Sequence, residues 1–502
     1  ELRSSFKLPK FIKSTEVKGF YINFFIDKQF MLKETIKEVL KEKDNYGSNY
    51  SGKGKKALIE HTSINPNASP HLGRARNAII GDSIVKLLKF EKYKVETHYF
   101  VNDIGKQIAV LVLACRNKKP KFKELLDIYV KFNNKLENNN KLEKEVLLLL
   151  NKLESKDKST ISKFNKIVSI CVSGHSKILK ELGIAYDYFD YESKFLFGNA
   201  TAGVLKKIES SGKLFTDEEG RKAVDLRGFN LAMENPYLPL TRNDGTSLYI
   251  LRDIAYNIYK EDKAKDRNII VLGEDQKLYY QQLSVILSLI GHKAPEVVHY
   301  SFILLPSGKM STRRGEVVLL EDFMGEMKLK AREEILKRHG RIKNIDRLSE
   351  IISQAAIKFS IIKVSSDKNI TFEIDKALSF EGDSGPYIQY AYARASSIVR
   401  KSGIKDINYK YLGLTNDHEL RLLFKIYSFK EVVNKAVISL QPHIIANYSL
   451  ELAKLFNEFY HECPVLSQEK EVMFSRLMLV NAVRQVIKNS LFLLGIETPK
   501  SM

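Results

Sequence analysis

Hydrophobic and polar positions change rhythm several times along this chain, and each change marks an element. Near the start, GFYINFFI reads as the best strand of a small α+β segment, and the Gly-punctuated basic run SGKGKK follows it as a linker. ALIEHTS is an apolar run with a polar exit, the pattern of a strand buried on both faces of a parallel sheet. Pro70 stands just before His71, a favoured place for a helix to begin, and Ile80, Ile84, Leu87 and Leu88 recur at helical spacing through Phe90. VETHYFV predicts a second strand and DIGKQIAVLVLA a second helix, so the region reads as a βαβ unit with a right-handed crossover.

Past Arg116 the texture turns to Lys, Glu and Asn, with Leu142, Val146, Leu149, Leu150 and Leu153 at helical intervals. This predicts a helical insertion over about 116–180, with ENNNK as a loop inside it. The α/β pattern then resumes. NDGT predicts a tight turn, SLYIL a strand, RDIAYNIYKE a helix, NIIVLGEDQ another strand and LYYQQLSVILSLIG its following helix. Beyond about 383 the text is nearly all helical, as in a separate α-bundle. The predicted organisation is a short N-terminal segment over 1–52, either naturally short or trimmed, an α/β domain over 53–382 and a helical domain over 383–502, in keeping with about three domains for a chain of this length.

Composition sharpens this picture. The chain has 502 residues with a formal net charge of +21, which favours a polyanionic partner, although Lys-rich mutational bias gives the same sign. No apolar run of roughly 18 residues offers a membrane span, and no apolar signal segment opens the chain. The three cysteines, Cys115, Cys171 and Cys463, are far apart, so neither a zinc ribbon nor a disulfide framework is supported, and a cytoplasmic setting is expected.

The chemistry gathers around EHTSINPNASPHLGRARN. In an open parallel sheet, ligands sit where strands hand over to helices, and HTSINPNASPHLGR occupies such a handover. His71 falls beside the free N–H groups of a helix start, Gly73 leaves room for a flat base, and Arg74 and Arg76 add positive charge. An ordinary Pro-initiated helix with a surface histidine fits the same letters.

Here the sequence resembles a known family. NPNASP-HLGR is similar to the HIGH element of class I aminoacyl-tRNA synthetases, and SGKMSTRRGEVVLL is similar to their KMSKS loop, expected over 307–316. HTSINP, YFVNDIGKQ, RNDGTSLYILRDIAY, LGEDQKLYYQQL, GPYIQYAYAR and the ending LGIETPKSM further resemble arginyl-tRNA synthetases, nearest the archaeal-type members. The resemblance implies a Rossmann-type class I catalytic domain with a C-terminal all-α anticodon-binding bundle and a short α+β N-terminal segment. It implies ATP-dependent activation of L-arginine and transfer to the 3′ end of tRNA(Arg).

Carried over position by position, the resemblance assigns Glu60, Ser63, Asn65, Tyr249, Asp253 and Gln276 to arginine, and His71, Gly73, Arg74, Asn77, Lys309, Met310 and Ser311 to ATP. Of these, His71, Arg74, Lys309 and Ser311 are the expected catalytic groups. A guanidinium is a planar fork of donors, so carboxylates at Glu60 and Asp253 suit it, whereas lysine would leave acceptors unpaired. Asp253 fits equally well as a helix N-cap. Two departures stand out: Arg74 replaces the second His of HIGH, and Thr312 stands where the second Lys of the loop would be. Lys53, Lys55 and Lys56 resemble a basic patch that takes over in members lacking that Lys, and Arg313 is a rival. In the bundle, aromatic residues beside Lys and Arg suit base stacking, and Asn447 and Tyr448 are the expected tRNA contacts, while Phe456, Phe459 and Tyr460 lie at core spacing. Mg²⁺ is expected with ATP rather than in a protein metal site, and a monomer is expected. A catalytically inactive tRNA-binding relative and a small-molecule adenylyltransferase are the competing readings.

Overall fold

The computed structural model describes residues 8–137, 139–305, 308–309, 318–340, 343–404 and 413–502. Two compact units emerge from the contacts: residues 52–326 with 366–372, and residues 1–51 with 327–365 and 373–502.

The first unit is built on a five-stranded sheet. Its strands are β3 (Lys56–Glu60), β4 (Lys94–Val101), β5 (Tyr188–Tyr191), β9 (Arg267–Gly273) and β10 (Glu296–Tyr300), in the order β10-β9-β3-β4-β5. Every pairing is parallel. Ala57, Leu58 and Ile59 are buried, as a central strand covered on both faces requires. From β3 the chain goes outward through β4 and β5, then returns to lay β9 and β10 on the other side. The order reverses between β3 and β9, and a crevice opens at their carboxyl ends.

Helix Leu72–Phe90 follows β3 and buries Ile80, Ile84, Leu87 and Leu88, as their spacing predicts. The insertion is helical: Leu125–Leu136, Asn140–Glu154 and Lys158–Glu181. The loop expected at ENNNK is shorter than its composition suggests, because Asn139 caps the next helix by accepting from the N–H groups of Lys141 and Leu142. A small antiparallel sheet joins β6 (Leu214–Thr216), β7 (Lys222–Asp225) and β8 (Tyr237–Pro239). A small mixed sheet orders β12 (Gly308–Lys309), β11 (Ile303–Leu305) and β13 (Ile370–Thr371), with β12 antiparallel and β13 parallel to β11.

One element departs from expectation. SLYIL is no strand; after the NDGT turn, with Gly245 at φ 82°, the helix Tyr249–Ala264 begins at once. Ile250, Leu251, Ile254 and Ala255 pack one face of it into a core with Val224, Leu283 and Ile286. A short apolar run carries no period of its own, and tertiary burial of the i, i+4 pairs settles it as helix.

The second unit holds the antiparallel hairpin β1 (Ile12–Lys18) and β2 (Tyr21–Ile26), the helix Lys28–Glu42 and a bundle. The bundle contains helices Ile345–Ile362, Gly385–Lys401, Asp417–Tyr427, Phe429–Ser439, His443–Glu462 and Lys470–Leu493. The Ser384 hydroxyl caps Gly385–Lys401 by accepting from the Tyr387 N–H at 3.1 Å. Gly385 lies so close to the preceding helix that a Cβ there would meet the Ala355 carbonyl oxygen at 2.4 Å. Among the described residues no helix is long and apolar enough to cross a membrane.

Candidate active site

The loop leaving β3 is held under strain. Thr62 and Ser63 both have positive φ, 76° and 42°, a region that costs non-glycine residues on the order of 1–3 kcal/mol each. The surroundings fix it. The Thr62 N–H donates to Asn77 Oδ1 at 2.6 Å, and its hydroxyl meets the Tyr186 hydroxyl and His61 Nδ1. Further along, Tyr99 OH accepts from the Ile64 N–H, and His175 Nε2 donates to the Ala68 carbonyl at 2.7 Å. Burial pushes His175 down to about 4, so it is neutral, and its Nδ1 is left as an acceptor beside Tyr99 OH. His175 comes from the insertion, which thereby braces the turn leading to Pro70.

His71 is the N-cap residue of Leu72–Phe90, but its side chain makes no capping bond and stays turned to the crevice. Burial, then the Arg74 charge, pushes it down to about 4, so it meets a ligand as a neutral donor or acceptor. It borders a cleft of about 590 Å³ with Asn65, Asn67, Arg74, Gln107 and Tyr129, a size suited to a small ligand. The chain beyond the KMSKS-like stretch returns to the same place. His71 bridges to Leu319, the Leu72 N–H donates to the Val318 carbonyl at 3.0 Å, and the Leu320 N–H donates to the Pro70 carbonyl at 2.8 Å. The segment that follows the second motif therefore pairs with the helix start of the first. Met310, Ser311, Thr312 and Arg313 lie outside the described residues, and Lys309 is described only through its backbone pairing with Leu304.

An acidic group of side chains lies at the end of β3 and on the helix Tyr249–Ala264. Glu60 ends β3, is 5% exposed and accepts from Ser63 Oγ at 3.3 Å. Its other oxygen is ion-paired with Lys260, which is 0% exposed. Asp253 is not a cap; the cap position belongs to Leu248, and Asp253 sits inside the helix. Its Oδ2 accepts from Tyr279 OH at 2.5 Å, and the Tyr249 ring lies 5.4 Å from the Tyr279 ring. Burial pushes Asp253 up to about 6, against the pull of Lys260 and with the push of Glu60. Tyr249 is 60% exposed and free to cover a ligand. Gln276 is exposed just past β9, and Asn65 is exposed with its amide 3.4 Å from Gln107 Oε1. Among the described residues no cluster of three His, Cys, Asp or Glu forms a metal site.

Four assignments need correction. Asn77 is not offered to a nucleotide: its amide oxygen holds Thr62 and its Nδ2 donates to the Val271 carbonyl at 2.9 Å, so it braces the loop. Arg76 adds no charge to the crevice, because it is fully buried and donates to the Ser301 carbonyl at 2.7 Å. Lys55, with Lys53 and Lys56, lies at the amino end of β3, the opposite end of this central strand from Glu60 and about 16 Å of strand away. Tyr448 is core: it donates to the Lys425 carbonyl at 2.7 Å and packs on Phe429. Asn447 beside it is exposed.

Two groups escaped the sequence reading. Lys260 and Tyr256 share a helix face with Asp253 and Tyr249, at spacings i, i+4, i+7 and i+11; the predicted helix RDIAYNIYKE already held three of the four, and reading SLYIL as a strand left out Tyr249. In the bundle, Arg394 lies 4.8 Å from the Tyr390 ring and 4.6 Å from the Tyr460 ring, in a cleft of about 730 Å³ that Arg400, Lys401 and Lys500 also border. Phe456 and Phe459 are buried as expected, whereas Tyr460 is 40% exposed.

Comparison with known proteins bears on both units. Residues 35–374 match the model of the class I tRNA synthetase (R) catalytic domain, and residues 388–502 match the DALR anticodon binding domain. The chain is 37% identical to the arginine–tRNA ligase of Archaeoglobus fulgidus, over 98% of this chain and 89% of that protein. It is 38% identical to that of Methanosarcina barkeri, over 98% and 87%. Its fold matches the Thermus thermophilus arginyl-tRNA synthetase with a TM-score of 0.85 and 25% identity, covering 100% of this chain and 90% of that one.

Proposed function

Because the chain belongs to the class I arginyl-tRNA synthetases and acts as an arginine–tRNA ligase, we propose that arginine is activated in the crevice at the carboxyl ends of β3 and β9. The observation that supports this reading is the gathering of Asp253 with Glu60, Tyr279 and Tyr249 at the carboxyl end of β3. Asp253 grips the guanidinium fork, Glu60 and Ser63 supply further acceptors, and the Tyr249 ring covers the flat cation. Asn65 and Gln276 take the amine and carboxylate of the amino acid. A site built on such bonds discriminates against ligands lacking the fork by roughly 10⁴–10⁵.

ATP, as its Mg²⁺ complex, lies along the start of Leu72–Phe90. Gly73 lets the base approach the backbone, and neutral His71 with Arg74 and the first-turn N–H groups holds the phosphates. Lys309, Met310 and Ser311 of the other motif are assigned to the same phosphates by the family resemblance. The arginine carboxylate attacks the α-phosphorus in line, a P–O bond forms, and pyrophosphate leaves with the bond electrons. A terminal ribose hydroxyl of tRNA then attacks the arginyl carbonyl, and AMP leaves. Little covalent work falls to the protein in the first step; it positions the reactants and stabilises charge.

The bundle cleft holding Arg394 between Tyr390 and Tyr460 supplies stacking faces and cations for unpaired bases of tRNA(Arg), with exposed Asn447 near the opposite end of the helix that carries Tyr460. The buried, unpaired thiols of Cys115, Cys171 and Cys463 support a cytoplasmic protein, and we infer that it works as a monomer. Charging purified tRNA with each standard amino acid tests the whole reading. Arginine alone is expected to be attached, and attachment of another amino acid overturns it. Pyrophosphate exchange at background level with intact tRNA binding would identify an inactive relative instead.

A further inference from the structure

Lys260 poses a problem that the proposed reaction leaves unsolved. A fully buried ammonium occupies one oxygen of Glu60, in a pocket whose ligand is itself a cation. Burying a lysine is costly unless its charge is needed. Asp190 accepts from Tyr256 OH at 2.9 Å and lies 2.6 Å from His98 Nδ1, and Asp103 lies beside Arg252 and Glu192. The charges that act on Asp253 itself are Lys260, Glu60 and Glu192; Glu192 is bound by Arg252 at 2.7 Å, which leaves two carboxylates, Glu60 and Asp253, and one ammonium. Lys260 also lies on the helix face that carries Asp253, two turns further along, and its Nζ is 4.6 Å from the Tyr256 ring between them.

We propose that Lys260 is a positioning residue that cancels one of the two pocket carboxylates, so that a single net negative charge faces the single charge of the arginine guanidinium. The inference rests on the assignment of Glu60 and Asp253 to arginine. Two like charges in a half-buried site cannot both stay ionised cheaply; one takes up a proton and ceases to be a bidentate acceptor. With Lys260 in place, Glu60 is fixed in direction by its ion pair and by Ser63, and Asp253 remains the partner for the fork. The ammonium also repels a second cation from the position it fills, which sets the depth to which a long basic side chain can enter.

Charge counting separates this from a purely structural lysine. Glu60→Gln leaves Lys260 unopposed and the pocket neutral, so KM for arginine is expected to rise about 100-fold or more. Lys260→Met leaves two carboxylates, and KM is expected to rise about tenfold with kcat and KM for ATP little changed. The double variant Glu60→Gln with Lys260→Met restores one net charge and should recover at least about tenfold of the loss in Glu60→Gln, a coupling between contacting residues. KM and kcat come from steady-state charging, and thermal unfolding checks each variant. A double variant that is worse than Glu60→Gln, or equal to the product of the two single effects, overturns the proposal. Should Lys260→Met fail to fold alone, the comparison of the double variant with Glu60→Gln still decides. If none of the variants shifts KM for arginine, the arginine site itself is wrong, an outcome distinct from a failure of the charge-balancing role.

Discussion

Replacing Asp253 by Asn should make the protein more stable and nearly useless with arginine. Asp253 is raised from an ordinary value of 3.8 to about 6, first by burial. At about 1.4 kcal/mol per pH unit, holding that carboxylate charged at neutral pH costs the fold about 3 kcal/mol. Asn keeps an oxygen for the Tyr279 hydroxyl, now 2.5 Å away, and the charge assistance of that bond is already included in the raised value, which it holds down. A gain of about 3 kcal/mol follows, a few degrees in Tm. The sign is set by linkage: a carboxyl with a raised folded value destabilises the fold above that value and ceases to do so as pH falls toward the unfolded one. The gain should therefore be full near pH 7.5 and shrink to nothing as pH falls from about 6 toward 4. Arginine loses its charged partner in a desolvated site, at a cost of about 3–5 kcal/mol, or roughly two to three and a half decades in KM. Thermal unfolding of the free protein at pH 7.5 and 4.5, beside arginine-dependent charging, measures both. An Asp253→Asn variant that melts lower at pH 7.5, or that keeps its KM for arginine, would refute the placement of this carboxylate.

Other outcomes follow from the same geometry. In the unaltered enzyme, KM for arginine should rise as pH drops through about 6, where Asp253 gains its proton; a flat profile between pH 5 and 8 counts against its role. His71→Ala should lower the activation rate by about 10²–10³ with arginine binding little altered, as for loss of one preorganised donor; pyrophosphate exchange reads this. Gly385→Ala drives a methyl onto the Ala355 carbonyl, which the glycine approaches too closely for any Cβ, and should cost about 1–3 kcal/mol of stability in denaturant unfolding. Tyr460→Ala, which strips one ring from Arg394, should weaken tRNA binding by about 1–3 kcal/mol with the Tm nearly constant; unchanged affinity in a filter or fluorescence titration removes that cleft from the tRNA surface.

What the amino-acid order decided unaided was whatever depends on neighbours in the chain. The run of Ala57, Leu58 and Ile59, the proline before His71 and the helical spacing of Ile80, Ile84 and Leu87 specify a buried strand handing over to a helix, because strand burial and helix starts are local physics. The gathering of the motif-bearing stretches, and with it the family, was legible for the same reason. Tertiary structure alone decided which polar groups face the ligand. Asn77 and Arg76 belong to the same motif as His71, yet both are spent on buried carbonyls and an N–H of neighbouring segments, which no local pattern announces. Tyr448 and Tyr460 lie twelve residues apart on one helix; packing against Phe429 buries the first, and the second stays open beside Arg394. Lys260 meets Glu60 across 200 residues of chain, since the free energy of an ion pair depends on the distance and dielectric that folding creates and not on separation along the sequence.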